Sequence, residues 1–267
     1  MRSAPEAAAG LELGGAAMEN FKKQSITEMR KRKFADQIGV EIQEDGVLAQ
    51  SFFDWYSGDQ SYDVAFEDSF SAEYVIDLIK AIWDPASSYK LLDCGSANGL
   101  TLKQFDRLGV EAWGIENSAY IHSKTPKEWR ERNLLGDVCE MPFEDDAFDF
   151  LYVTCLPHLP EEKISQAIKE LFRVCRVGVV LSGVTTDMPE EVIQKYELFV
   201  GLQTFWTFSE WSDAMVYAGF QLAISDPVML DEVWRIEEEA EGDEDWYPDK
   251  EDVKHCFFSK PQTKRNS

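Results

Sequence analysis

The sequence predicts an α/β domain built on an open, doubly wound, mostly parallel sheet, and three observations predict it. Apolar runs of strand length alternate with segments of helical spacing from about residue 85 to residue 260. Alternation of that kind favours a parallel sheet with helices on both faces. The first such run, Leu91-Leu92-Asp93-Cys94, breaks into the small-residue turn Gly95-Ser96-Ala97-Asn98-Gly99. Finally, Asp93, Glu116 and Asp137 put a carboxylate at the tips of three successive runs. In an open parallel sheet those tips gather at one edge, where a crevice takes a nucleoside-like ligand.

The elements follow in chain order. Residues 1–20, rich in Ala and Gly, read as a disordered leader without the continuous apolar stretch of a secretory signal, and a start at Met18 is equally compatible. Residues 21–84 read as a helical cover. Within it Ser25–Ala35 suits a helix whose basic run, Arg30-Lys31-Arg32-Lys33, reads as a solvated face more readily than as a nucleic-acid patch. Residues 51–70 interleave Phe52, Phe53, Trp55, Tyr56, Tyr62, Phe66 and Phe70 with Asp54, Asp59, Asp63, Glu67 and Asp68. That mixture reads as a lid over the crevice, or as the buried face of two packing helices. Val75, Ile76, Leu78, Ile79 and Ile82 have the spacing of an amphipathic helix over Ala72–Ile82.

The sheet domain is placed at 85–260. After the glycine turn come a helix over Leu100–Leu108, a strand over Glu111–Glu116, a helix or loop over Ala119–Arg132 and a strand over Asn133–Gly136. Strands at Phe148–Thr154 and Val177–Ser182 flank a helix at Ile164–Phe172. A late helix begins near Phe208 with Ser209 as its expected N-cap and ends at Ala218-Gly219-Phe220. Residues 231–252 hold twelve acids against Arg235 and Lys250 and read as a solvated acidic insertion before a closing strand at His255–Phe258. Residues 261–267 are a tail.

Composition narrows the function classes. The 267 residues carry 50 acidic and 26 basic side chains, a net charge of −24, which opposes binding to phosphate backbones and anionic lipid. We therefore expect no nucleic-acid and no membrane partner. The five cysteines, Cys94, Cys139, Cys155, Cys175 and Cys256, are odd in number and show no C-x-x-C spacing, so neither a metal site nor a disulfide framework is expected and a reducing cytoplasm fits.

Glycine placement decides which nucleoside. A dinucleotide fingerprint needs glycine at the first, third and sixth places of Gly-x-Gly-x-x-Gly, and here those places read Gly95, Ala97 and Leu100. No lysine follows for a P-loop. An acid followed by Gly-x-Gly-x-Gly reads Asp93, Gly95, Ala97, Gly99, which keeps the acid and two of the three glycines. That pattern resembles the class I S-adenosylmethionine-dependent methyltransferases. The likeness continues through Gly136-Asp137-Val138 to Phe148-Asp149-Phe150-Leu151 and covers roughly residues 85 to 225. It implies a Rossmann-like, seven-stranded sheet with an N-terminal helical lid, S-adenosylmethionine as cofactor and methyl transfer to a small-molecule acceptor. Two departures, Ala97 in place of the middle glycine and Arg176-Val177-Gly178 where Lys-Pro-Gly is frequent, argue against naming a subfamily.

Each candidate contact has a physical reason. Gly95, Ser96, Ala97 and Gly99 would let the first loop pass close to the amino-acid part of the cofactor. Asp93 can hold its ammonium. The two oxygens of Glu116, followed by Asn117, can accept both ribose hydroxyls. Asp137 can accept from the adenine amino group, Val138 can pack beside the ring, and Thr154 ends the fourth strand at the same edge. His158, after that strand, stands where an imidazole can take a proton. Tyr56, Tyr62, Asp63 and Tyr152 are further candidates for the reaction edge by location, and the carboxylates of the cover would suit an amine-bearing acceptor. Two readings compete with methyl transfer. In one, the cofactor's own amine displaces methylthioadenosine to form azetidine-2-carboxylate. In the other, the chain is a non-catalytic nucleoside-binding regulator.

Overall fold

The structure, a computed structural model, describes residues 47–57, 61–64, 71–85, 88–182, 202–204, 206–224, 227–241 and 255–261. The expected leader, the basic run of Arg30 to Lys33, Phe66 and Phe70, and residues 242–252 of the acidic insertion lie outside them.

The predicted sheet forms. Its strands are β1 (Lys90–Cys94), β2 (Glu111–Glu116), β3 (Asn133–Leu135), β4 (Phe148–Val153), β5 (Cys175–Ser182), β6 (Gln221–Leu222) and β7 (His255–Ser259). They lie in the order β3-β2-β1-β4-β5-β7-β6. The first five pair in parallel, and β7 runs antiparallel between β5 and β6. Strand order reverses between β1 and β4, which run side by side with Asp93 opposite Tyr152 and Cys94 opposite Val153. All six residues of β4 are buried, as the central strand of a two-faced sheet requires.

Helices cover both faces. One carries α2 (Ala72–Trp83), which follows α1 (Gln50–Ser57) in the chain, then α3 (Leu100–Arg107) and α7 (Pro227–Glu241). The Ser71 side chain caps α2 by accepting from the Tyr74 N–H at 3.3 Å. The stripe of Val75, Ile76, Leu78, Ile79 and Ile82 buries against Leu91, Ala112, Phe150 and Phe257. Each such aliphatic side chain is worth about 1.5–3 kcal/mol of burial. The opposite face carries α5 (Glu161–Val174) and α6 (Phe208–Tyr217), whose Ile164, Ile168, Leu171, Trp211 and Met215 pack on Leu92, Leu151, Val179 and Phe258. A four-residue helix, α4 (Ala119–His122), occupies only the start of the 119–132 segment.

Three expectations are corrected. The acidic stretch after Asp231 is not wholly a solvated excursion: its described part continues α7, and Val233 and Ile236 bury in the cluster built around α2. Three-residue spacing puts these two apolar side chains on one helix face, with acids elsewhere round the helix. The N-cap of α6 is Thr207, not Ser209, because Thr207 and Glu210 satisfy each other's backbone N–H groups in a capping box. β5 begins at Cys175, two residues early, since Cys175 already pairs with Phe148.

Candidate active site

The C-terminal ends of β1, β2 and β4 converge on a cavity of about 300 Å³. Asp93, Gly95, Ala97, Thr101, Ile115, Glu116, Asn117, Gly136, Val138, Thr154 and Cys155 line the sheet side. Leu48, Phe52, Phe53, Tyr56, Tyr62, Tyr152, His158 and Leu159 complete the lining.

The turn after β1 is held from three directions. Gly95 has φ +99°, its N–H donates to the Ile115 carbonyl at 2.9 Å, and an added Cβ would stand 2.7 Å from Thr154 Oγ1 and 3.1 Å from Cys155 Cβ. Glycine is therefore required by the close approach of β4 as well as by backbone conformation. Ala97 also lies in the left-handed region, at φ +47°. Its N–H donates to Glu116 Oε2 at 3.0 Å, and its carbonyl accepts from Asn133 Nδ2 at 3.1 Å. These bonds offset the roughly 1–2 kcal/mol that a side chain costs in that conformation. The two positions should respond oppositely. Gly95→Ala is expected to lower the melting temperature by several degrees and to weaken cofactor binding, whereas Ala97→Gly should leave stability unchanged or raise it by up to about 1 kcal/mol. Differential scanning calorimetry of both variants checks this pair.

The two carboxylates are buried and polarised by their surroundings. Asp93 is 1% exposed and accepts from Thr101 Oγ1 at 2.5 Å. Burial pushes its pKa up to about 7, opposed by that hydrogen bond and reinforced by nearby Glu116. Glu116 accepts from Ser118 N–H through Oε1 at 2.7 Å and from Ala97 N–H through Oε2 at 3.0 Å. Burial raises its pKa, while the N–H groups of Ser118, Ala97 and Asn117 oppose the rise. Each carboxylate oxygen keeps further acceptor capacity for a ligand.

Aromatic side chains close the other side. Phe52 meets His158 edge to face at 5.8 Å, Phe53 meets Tyr62 at 5.6 Å, and Tyr56 meets Tyr62 at 5.5 Å. The lid is tied down where Ser118 Oγ donates to the Leu48 carbonyl at 2.7 Å and Asn98 Nδ2 donates to Asp63 Oδ1 at 2.8 Å. Burial, then the neighbouring Tyr56, Glu116 and Asp93, push the Tyr62 phenol up, and burial followed by Asp93 does the same for Tyr152. Both phenols stay protonated near neutral pH, so they offer ring faces and O–H donors rather than a base.

Residues 92–182, from β1 to the end of β5, match the family model described as a methyltransferase domain. This segment is similar to methyltransferase domains. The cofactor of such a domain is S-adenosylmethionine. No curated protein sequence matches the chain. Among solved structures, the chain resembles the Haloferax volcanii complex of the Trm112 methyltransferase activator with its putative methyltransferase at 16% identity and a TM-score of 0.51, covering 79% of this chain and 97% of that one. It also resembles the YcgJ protein of Bacillus subtilis at 14% identity and a TM-score of 0.47, over 72% of this chain and 99% of that one. A phosphoethanolamine N-methyltransferase 2 of Haemonchus contortus, solved with S-adenosyl-L-methionine, matches at 17% identity and a TM-score of 0.48, over 79% of this chain and 56% of that one.

The fold brings eleven of the fifteen expected residues to one cavity: Asp93, Gly95, Ala97, Glu116, Asn117, Val138, Thr154, Tyr56, Tyr62, Tyr152 and His158. Four lie elsewhere. Ser96 is buried behind the turn, where its Oγ donates to Asn133 Oδ1 at 2.5 Å. Gly99 is the N-cap of α3, packed against Leu102 and Asn133. Asp137 turns its Oδ1 to the Cys139 N–H at 2.8 Å and stands 3.8 Å from Lys163, beside the cavity-lining pair Gly136 and Val138. Asp63 is exposed and holds Asn98.

The residue missed is Asn133. Wholly buried at the start of β3, it accepts from Ser96 and donates to the Ala97 carbonyl and to Thr125 Oγ1 at 2.9 Å. Gly114, opposite Asn133 in the sheet, leaves the room that the Ser96–Asn133 pair fills. An asparagine followed by two leucines reads in the sequence as a strand start, and nothing local marks its bond to the Ala97 carbonyl thirty-six residues away. The cavity fits the cofactor of a methyltransferase. Two buried carboxylates suit an ammonium and a ribose diol, and no lysine or arginine stands among the described lining residues to repel a sulfonium.

Proposed function

We propose that this protein transfers the methyl group of S-adenosylmethionine to a small-molecule acceptor by in-line displacement. The observation that carries the reading is the pair Asp93 and Glu116, buried on adjacent strand tips and facing one cavity that aromatic rings close. In this reading the domain spans 85–260 and the preceding segment, 21–84, supplies the cover.

Bound S-adenosylmethionine supplies a methyl group already activated on sulfonium. The residues then bind, orient and exclude water. Asp93 accepts from the amino-acid ammonium, Glu116 accepts from the ribose hydroxyls, and Val138 with Gly136 packs beside the base. Leu48, Phe52 and Phe53 exclude water on the lid side. Most of the rate comes from holding an acceptor about 3 Å from the methyl carbon. His158 takes the proton released by an acceptor that needs deprotonation. A reducing cytoplasm suits the five free cysteines.

The cavity's size favours keeping one alternative. At about 300 Å³ it is at the small end for ligand sites, which run to roughly 1,000 Å³. A reaction in which the cofactor's own amine attacks and methylthioadenosine leaves would need no second molecule. Incubation with S-adenosylmethionine alone, read by mass spectrometry, separates the two. We expect no methylthioadenosine, and S-adenosylhomocysteine only after an acceptor is added. Release of methylthioadenosine without acceptor would overturn methyl transfer.

A further inference from the structure

We infer that the lid side of the cavity is a cage for an ammonium group, so that the acceptor is an amine and carries no anionic group near its nucleophilic nitrogen. This rests on the methyl-transfer reading and names the acceptor class for that same cavity. Two independent features support it. The first is the wall. Phe52 and Tyr56 from α1, Tyr62 from the next turn, Tyr152 from β4 and His158 from the turn after it surround one space. The faces of such rings attract a cation, most strongly when water is excluded. The phenols do not become competing anions, because burial and neighbouring carboxylates hold Tyr62 and Tyr152 protonated.

The second feature is charge. The sheet side, where Asp93 pairs opposite Tyr152, carries Asp93 and Glu116, and among the described residues no lysine or arginine lines the cavity. A carboxylate or phosphate entering the lid side would lose its hydration with no lysine or arginine among the described lining residues to compensate. An ammonium gains from the ring faces, and once S-adenosylmethionine holds Asp93 and Glu116 those rings are what bind it. The net charge of −24 draws the same ligands toward the protein.

The step balances without any further reagent. The ammonium is the form that docks; its proton then passes to His158, which lines the same space, and the neutral amine so formed is the nucleophile. The nitrogen lone pair then forms the new N–C bond as the S–C bond breaks, the bonding pair stays on sulfur, and His158 returns the proton to water.

Three compact probes, each with methyl groups about one quaternary centre and differing in charge, test the cage without turnover: tetramethylammonium, tert-butanol and pivalate, titrated by calorimetry into the full chain saturated with S-adenosylhomocysteine. Occupation of the nucleoside side in this way keeps the cation from Asp93. Tetramethylammonium should bind at least about tenfold more tightly than tert-butanol, and pivalate more weakly than either. Phe52→Leu and Tyr56→Leu should each weaken tetramethylammonium by about three- to thirtyfold, whereas Tyr56→Phe, which keeps the ring, should not. Equal binding of tert-butanol, stronger binding of pivalate, or no loss in either leucine variant would overturn the cage. Failure of S-adenosylhomocysteine itself to bind would instead remove the methyl-transfer reading on which the cage rests. An amine panel matched with its carboxylate analogues should then give methylated product from the amines alone.

Discussion

Replacement of Glu116 by Ala is expected to raise the dissociation constant for S-adenosylmethionine by at least about 100-fold. Hydrogen bonds to a charged acceptor contribute roughly 1.5–3 kcal/mol each, and two ribose hydroxyls would be lost. The substitution also removes the acceptor for the Ala97 and Ser118 N–H groups, so the left-handed turn at Ala97 loses one of its two ties. Binding and stability are therefore both expected to fall. Glu116→Gln distinguishes them. Its amide can accept with one oxygen and keep part of the scaffold, so it should recover most of the melting temperature while binding remains at least about tenfold weaker. Calorimetric titration and thermal melting of both variants check this. Wild-type affinity in Glu116→Ala would remove Glu116 from the site.

The second large effect is a pH dependence carried by Asp93. Its pKa is raised to about 7, first by burial, so the free protein holds this carboxyl protonated at lower pH. Only the ionised form accepts from an ammonium without a competing proton, so binding below pH 7 must release that proton. Affinity should fall about tenfold for each pH unit below 7, and level off above it. The sign for the free protein is opposite. The group is more basic folded than unfolded, so its stabilising contribution is fully present below the unfolded value near 4 and is lost as pH rises through 7. The cofactor should therefore raise the melting temperature more at pH 8 than at pH 6. Asp93→Asn should bind weakly with no such slope. A slope that survives in this variant would assign the proton to another group.

The parallel strands were readable because apolar runs of strand length ended on acids, and tertiary structure did not override them. The meeting of Asp93, Glu116 and Thr154 at one cavity followed from that topology, since strand ends must meet at one edge. The expected residues that lie away from the cavity are held there by a short-range or distant bond or by packing. Asp137 spends one carboxylate oxygen on the N–H two residues ahead, a local turn that Asp forms readily. Ser96 and Gly99 belong to the turn's packing rather than its ligand face. Asn133 is not legible because two of its side-chain partners, Ser96 and Ala97, lie in the turn after β1, and the third, Thr125, carries no local signal of the pairing. The density of acids after Asp231 concealed Val233 and Ile236, whose burial depends on a helix, α2, more than 140 residues earlier. Thr207 and Glu210 carried a readable capping box, and the neighbouring Ser209 drew attention from it.

The place of β7 in the sheet has a consequence for how the chain acquires its structure. The last strand in sequence is not last in space: it lies between β5 and β6, with Val179 opposite Phe258 and Leu222 opposite the same residue on the far side. While residues 255–259 are still on the ribosome, β5 has an unpaired edge and β6 has no neighbour at all. The sheet thus closes by inserting its final segment between two strands that have already been made. Such long-range pairing is slow because loop closure precedes its reward. During that interval the apolar edge of β5 is the surface on which a nascent chain would pair wrongly, and where a chaperone would have most to protect.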